Sequence, residues 1–133
     1  MIPNGPSFTY VFDVVLTASQ ILPGTGKGTD TDSEFYLLGL DMTFTSVLFT
    51  LQFRDAGGNY FSSNPLQAAS YQGLGPMPYT FAGEPRMFPP GSVISVDLVE
   101  GSGLSNTIQL GFIGIKVMRA SKAVCQPEKM FAY

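Results

Sequence analysis

Residues 85–100, PRMFPPGSVISVDLVE, and residues 107–118, TIQLGFIGIKVM, restrict the possible folds of this chain more than any other stretch. Pro85, Pro89 and Pro90 have no amide hydrogen to give to a ladder, so the first half suits a sheet edge or a corner and excludes a central strand. The pattern then alternates with period two, Ile94, Val96 and Leu98 against Val93, Ser95, Asp97 and Val99. In the second segment Ile108, Leu110 and Phe112 share one face, and Ile113, Ile115 and Val117 share the other. Gly111 and Gly114 leave room there for close packing or a bulge. The loop GSGLSN joins the two segments, which we read as a central antiparallel ribbon.

The rest of the chain carries the same signal. Residues 1–7, with Pro3, Asn4, Gly5 and Pro6, read as an extended or turn-rich arm that either lies over a neighbour or stays a loose terminus. Residues 8–18 alternate Tyr10, Phe12, Val14 and Leu16 on an apolar face against Val11, Asp13, Val15 and Thr17. Pro23 and the run PGTGKGTDTDSE are expected to end regular structure. Residues 34–40 and 41–54 read as strand, the second being the longest. Its inward set is Thr43, Thr45, Val47, Phe49, Leu51 and Phe53, and Gly39 or Asp41 marks a bulge or turn. DAGGN predicts a hairpin turn, residues 66–77 a surface connection or a short helical turn, and residues 78–82 a short strand.

Seven or eight strands without a long helix predict an all-β, antiparallel β-sandwich of the jelly-roll kind; an immunoglobulin-like sandwich, without its Cys…Trp…Cys arrangement, and a small closed barrel are the alternatives. The single domain covers residues 8–119, between an arm at 1–7 and a tail at 120–133. The 133 residues suffice for a core without metal or disulfide staples, and Cys125 has no second cysteine to pair with. Only 13 % of the residues are charged, against about 25 % in an ordinary soluble domain. Such a surface is covered by small polar side chains or by a partner, and strands apolar on both faces favour a homo-oligomer or a larger assembly. A net charge of −3 argues against general affinity for nucleic acid or anionic membranes. The few cations gather late, at Lys116, Arg119, Lys122 and Lys129. The start MIPNGPSFTYVF lacks the basic and apolar regions of a secretory leader, and no run is long enough for a membrane helix.

Chemistry is sparse. The chain has no histidine, which removes Ser–His–Asp and Cys–His mechanisms and the usual Cys/His zinc sites. Gly24-x-Gly26-x-Gly28 lacks the spacing and the βαβ context of a nucleotide loop. Asp97 with Glu100, or Asp13 with either, could serve glycoside hydrolysis only by converging in space; each also sits where surface carboxylates ordinarily do. Asp30, Asp32 and Glu34 alternate as hard oxygen ligands for calcium would, without the EF-hand pattern, and a solvated loop is the plainer reading. No cofactor is implied. Tyr60, Tyr71 and Tyr79 lie beside turns or loops and could serve as sugar platforms, or as core.

In PRMFPPGSVISVDLVE…NTIQLGFIGIKVMR, together with the turn FRDAGGNYF, the chain resembles small capsid-associated proteins of tailed bacteriophages, of jelly-roll or β-sandwich type. The likeness is one of pattern and spans most of residues 8–119. It implies a noncatalytic virion structural protein, a decoration or cement component, assembled in the host cytoplasm and contacting copies of itself and other virion proteins. A phage tail adaptor or fibre module is the near alternative, and a carbohydrate-binding β-sandwich the alternative of another class. Under the virion reading Pro3, Phe8, Met130, Phe131 and Tyr133 would be contact arms, and Phe88 with Pro89 a firm corner at an interface.

Overall fold

The structure is a computed structural model that describes residues 5–72, 77–81, 83 and 85–118. Nine strands follow in order: β1 Ser7–Leu16, β2 Ile21–Gly28, β3 Ser33–Phe44, β4 Phe49–Arg54, β5 Leu66–Gln67, β6 Tyr79–Thr80, β7 Arg86–Phe88, β8 Val93–Glu100 and β9 Asn106–Met118. A single 3-10 turn, Ala68–Tyr71, is the only helical element among the described residues. The protein is an all-β sandwich of two antiparallel sheets. One is ordered β1-β9-β3, with β6 and β7 both on the far side of β3; the other is ordered β2-β8-β4-β5. With β6 and β7 counted as one interrupted strand, this order is a jelly roll.

That order corrects the expectation of a central β8–β9 ribbon. The two strands belong to different sheets: β8 pairs with β2 and β4, and β9 with β1 and β3. The GSGLSN loop is a crossover over the edge of the sandwich. The reason lies in the apolar faces. Ile94, Val96 and Leu98 of β8 and Ile108, Leu110 and Phe112 of β9 are all fully buried. A hairpin would put both sets on one sheet face, whereas the crossover lets each sheet contribute one wall of a shared core.

A second correction concerns residues 41–54, which form two strands in two sheets rather than one long strand. β3 ends at Phe44, the chain turns through residues 45–48, and β4 begins at Phe49. The inward set changes parity at this corner. Phe44 faces Ile108 in β3 and Thr43 is exposed, while Phe49, Leu51 and Phe53 fill the core from β4. Asn106 ties the corner down: its side-chain amide donates to the Ser46 carbonyl at 2.8 Å, and its oxygen accepts from the Ser46 amide at 3.0 Å.

Pro23 does not end regular structure. It sits inside β2 where the pairing with β8 slips between Leu22 and Thr25, next to Gly24 at φ +67°. In an edge strand at a bulge, the missing proline amide leaves no ladder bond broken. The bulge expected near Gly39 is present, between Leu37 and Gly39 of β3. The DAGGN turn also forms as read: Asp55 donates its amide to the Asn59 carbonyl at 2.8 Å, and Phe61 pairs back to Phe53 at 2.9 Å. β1 starts at Ser7, and the Pro6 carbonyl before it accepts from Lys116 of β9, so the end of the expected arm already lies along the sheet.

Phe53 is the centre of the core. Its ring meets Tyr71 at 5.2 Å, Phe61 and Phe81 at 5.9 Å, and Phe112 of the opposite sheet at 6.0 Å. These separations are those of favourable aromatic pairs, three of them edge to face.

Candidate functional site

Period-two alternation gives each sheet an outward face, and on the β1-β9-β3 sheet that face divides into two chemically distinct halves. The register places Val11, Gly111 and Asp41 in one row, Thr9, Ile113 and Gly39 in the next, and Ser7, Ile115 and Tyr36 beyond them. Val117 follows opposite Glu34. Toward the other end the rows turn polar, with Asp13, Gln109 and Thr43 side by side, and Gln109 donating to Asp13 at 2.8 Å. Val11 is 43 % exposed and Val15 58 %, while Ile113, Ile115 and Val117 are half-buried by their neighbours alone. Gly111 has no side chain to fill its row, which leaves a shallow depression of about 150 Å³ bordered by Thr9, Val11, Asp41 and Ile113. A face with an aliphatic stripe of Val11, Ile113, Ile115 and Val117, polar residues on either side and a central dimple can accept a complementary protein surface.

β1 adds to this surface because it is the edge of its sheet, with no strand among the described residues paired on its far side. Phe8 of the same strand alternates to the other side, with Tyr10, and does not belong to the Val11 face. It is 37 % exposed, its ring edge-on to Tyr10 at 4.8 Å and capped by the Lys116 ammonium at 4.4 Å.

The other expected sites are rearranged by the fold. Phe88 is fully buried, because β7 pairs with β3 and turns this ring into the core; it is no interface residue. Pro89 is half-buried, and its carbonyl accepts from the Ser92 hydroxyl at 2.7 Å, so it shapes the corner into β8 from within. Pro3, Met130, Phe131 and Tyr133 lie outside the described residues. Tyr71 is only 4 % exposed and Tyr79 half-buried, with their rings 5.2 Å apart; they line the core and form no open sugar platform. Tyr60 is 50 % exposed, but its hydroxyl donates to Asp97 and its ring faces Arg54. The three tyrosines therefore do not make one site.

Asp30, Asp32 and Glu34 do not converge either. Asp30 pairs with Lys116 at 2.5 Å, which holds its carboxyl below the usual range, and Glu34 accepts from the Tyr36 hydroxyl. Among the described residues no group of three or more Asp, Glu or Cys side chains is placed to hold a metal ion. The carboxylates considered for glycoside hydrolysis are separated by strand geometry. Asp97 and Glu100 are three residues apart on β8 and so face opposite ways, while Asp13 lies on the other sheet and is bonded to Gln109.

Two of those carboxylates have structural work that sequence reasoning missed. Burial pushes the Asp97 carboxyl up, but the Gly24 amide at 2.6 Å, Arg54 at 2.5 Å and Tyr60 together hold it below its ordinary value. It thereby joins β2, β4 and the 55–60 turn to β8. Glu100 is 4 % exposed and accepts from the Ser102 hydroxyl at 2.6 Å and from the amides of Ser102 and Gly103. The Ser102 hydroxyl leads these bonds in drawing its pKa down from 4.5 to about 2, against the opposing effect of burial. The legible signal was an acid followed at once by Gly-Ser-Gly, a turn rich in free amides.

Because the folded pKa of Glu100 is depressed, its contribution is complete above pH about 4.5 and fades as pH falls toward 2. Thermal melts of the wild type are expected to lose stability across that window. Glu100→Gln should start from a lower Tm at pH 7 and lose less of it on acidification. Parallel acid profiles for the two proteins would show that Glu100 is not the group responsible.

No protein-family model, no curated protein and no solved structure matches the chain.

Proposed function

We propose that this protein is a noncatalytic structural subunit of a virion, a capsid decoration or cement component that works by joining protein surfaces. The observation that carries the reading is the aliphatic stripe of Val11, Ile113, Ile115 and Val117 on the outward β1-β9-β3 face, beside a strand edge that pairs with no other strand among the described residues. Two further features support it. The charged fraction of 13 % leaves little to keep such a face in water. The jelly roll is also an architecture of capsid domains, although it serves lectins as well and so carries no function by itself. In this reading the dimple at Gly111 receives an apolar side chain, the Asp13–Gln109 end sets orientation, and localisation is the virion.

Size-exclusion chromatography with light scattering tests it, alone and with matching particles. The wild type is expected to self-associate or to bind the shell. Val11→Lys should abolish either behaviour while the circular dichroism spectrum and Tm stay unchanged, since this side chain is already exposed. A monomer that binds no particle would reject the reading, and attachment to purified tails in place of capsids would move the subunit to a tail adaptor or fibre.

A further inference from the structure

At the opposite end of the first sheet from β1, a cleft of about 510 Å³ opens between the turn after β4 and strand β7. Its size falls within the roughly 300–1,000 Å³ of ordinary ligand sites. Asp55, Gly57, Gly83, Pro85, Arg86 and Met87 line it.

Arg86 is the unusual member. The ion pairs among the described residues engage Arg54 and Lys116, and the Arg86 side chain makes no hydrogen bond or salt bridge with a described residue. Its guanidinium instead lies over the Phe61 ring, 3.9 Å from the centroid. That contact holds the group beside the cleft, and its N–H donors, which bond to no described residue, are of the kind that pair with an oxyanion. Across the cleft, one oxygen of Asp55 is taken by the amides of Gly57 and Asn59, both at 2.9 Å. Its second oxygen accepts from no described residue. Among the described residues, a cation and a carboxylate oxygen without hydrogen-bond partners therefore share one cleft, with glycine walls that let a ring approach the backbone.

We propose that this cleft binds a carboxylate-bearing saccharide, with its carboxylate on Arg86 and a ring hydroxyl donating to Asp55. The chemistry selects this class over others. Asp55 and the chain's net charge of −3 repel a phosphate dianion about twice as strongly as a singly charged carboxylate. A peptide would need a strand edge or an apolar anchor pocket. Here Pro85 and Pro89 flank the three-residue β7 and obstruct strand addition, and Met87 is the one large apolar side chain in the lining. The site shares no residue with the assembly face and does not depend on the virion reading.

The test is an NMR titration of the 15N-labelled full chain with trigalacturonate and with sialyllactose, against galactotriose as the neutral control and triglutamate as the acidic peptide. At least one acidic saccharide is expected to shift the amides of Gly57, Gly83 and Arg86, with galactotriose and triglutamate at least about tenfold weaker. Arg86→Gln should weaken binding by about tenfold or more, and Arg86→Lys by less, because it keeps the charge and loses the fork. Unchanged spectra away from the cleft establish that both variants are folded. The proposal is overturned if neither acidic saccharide shifts these signals at about 10 mM, in the weak-binding range. Equal binding of galactotriose or triglutamate, or binding that survives in Arg86→Gln, would overturn it too.

Discussion

Phe53→Ala is expected to remove about 3–5 kcal/mol of folding free energy, the cost of deleting a buried aromatic ring and leaving a cavity. The site has little means to collapse. Phe53 is fully buried and is surrounded by Phe112 from the opposite sheet, by Phe61 and Tyr71 from the long connection between β4 and β6, and by Phe81 just after β6. These rings are themselves packed edge to face with one another, as Tyr71 with Tyr79 and Phe61 with Phe81 are, so none can swing in without losing its own contacts. Against a total stability of roughly 5–15 kcal/mol, the loss removes a large share of the folded population's margin. Denaturant melts measure it, with Phe53→Leu as the milder partner at about 1–2 kcal/mol should the alanine variant not be recovered folded. A loss below about 1 kcal/mol for Phe53→Ala would place the ring outside the core.

Gly114→Ala should be nearly as damaging for the opposite reason, too much volume in place of too little. A Cβ at this position would stand 2.1 Å from the Tyr36 carbonyl oxygen and 2.7 Å from the Phe35 ring. The first obstacle is backbone in the paired strand β3, beside the bulge between Leu37 and Gly39, and it cannot rotate away. Relief requires β9 and β3 to separate, at a cost expected near about 3 kcal/mol, the upper end of ordinary overpacking. Gly111→Ala is the internal comparison. Its Cβ would meet the Thr9 methyl at 3.3 Å on the outward face, where a side chain can shift, so the monomer should lose no more than about 1 kcal/mol. Equal melts for the two variants would mean that the close approach at Gly114 does not constrain the sheet.

Much of the fold was legible because β-structure writes its burial pattern locally. The alternation of Tyr10, Phe12, Val14 and Leu16, and of Ile94, Val96 and Leu98, gave both strand type and inward face from residues two apart. Turn chemistry was equally local at DAGGN, whose hairpin closes as read. Where the reading failed, the missing information was long-range. Residues 45–48 contain nothing that forbids a continuous strand, and only the need to feed a second sheet breaks it there. Pro23 stopped a strand on paper because the edge position and bulge that excuse it are properties of β2's place in the sheet.

The candidate sites show the same division more sharply. Phe88, Tyr71 and Tyr79 have turn-rich neighbourhoods in sequence and buried or half-buried positions in space. Their exposure depends on which strand passes behind them. Arg86 and Asp55 lie 31 residues apart by their numbering, and nothing between them announces a cleft.

What the sequence determined by itself was the class of structure and the absence of whole chemistries. Its Pro85–Glu100 and Thr107–Met118 segments required strands, and a chain without histidine could not build a histidine-based catalytic site. Only the tertiary structure decided that Val93–Glu100 and Thr107–Met118 face each other across the core in separate sheets, while Arg86–Phe88 joins the sheet of the second segment. The physical reason is that period-two alternation records which side of a strand is apolar and carries no record of which strand it meets. That choice belongs to the whole set of apolar faces, which must all be covered at once.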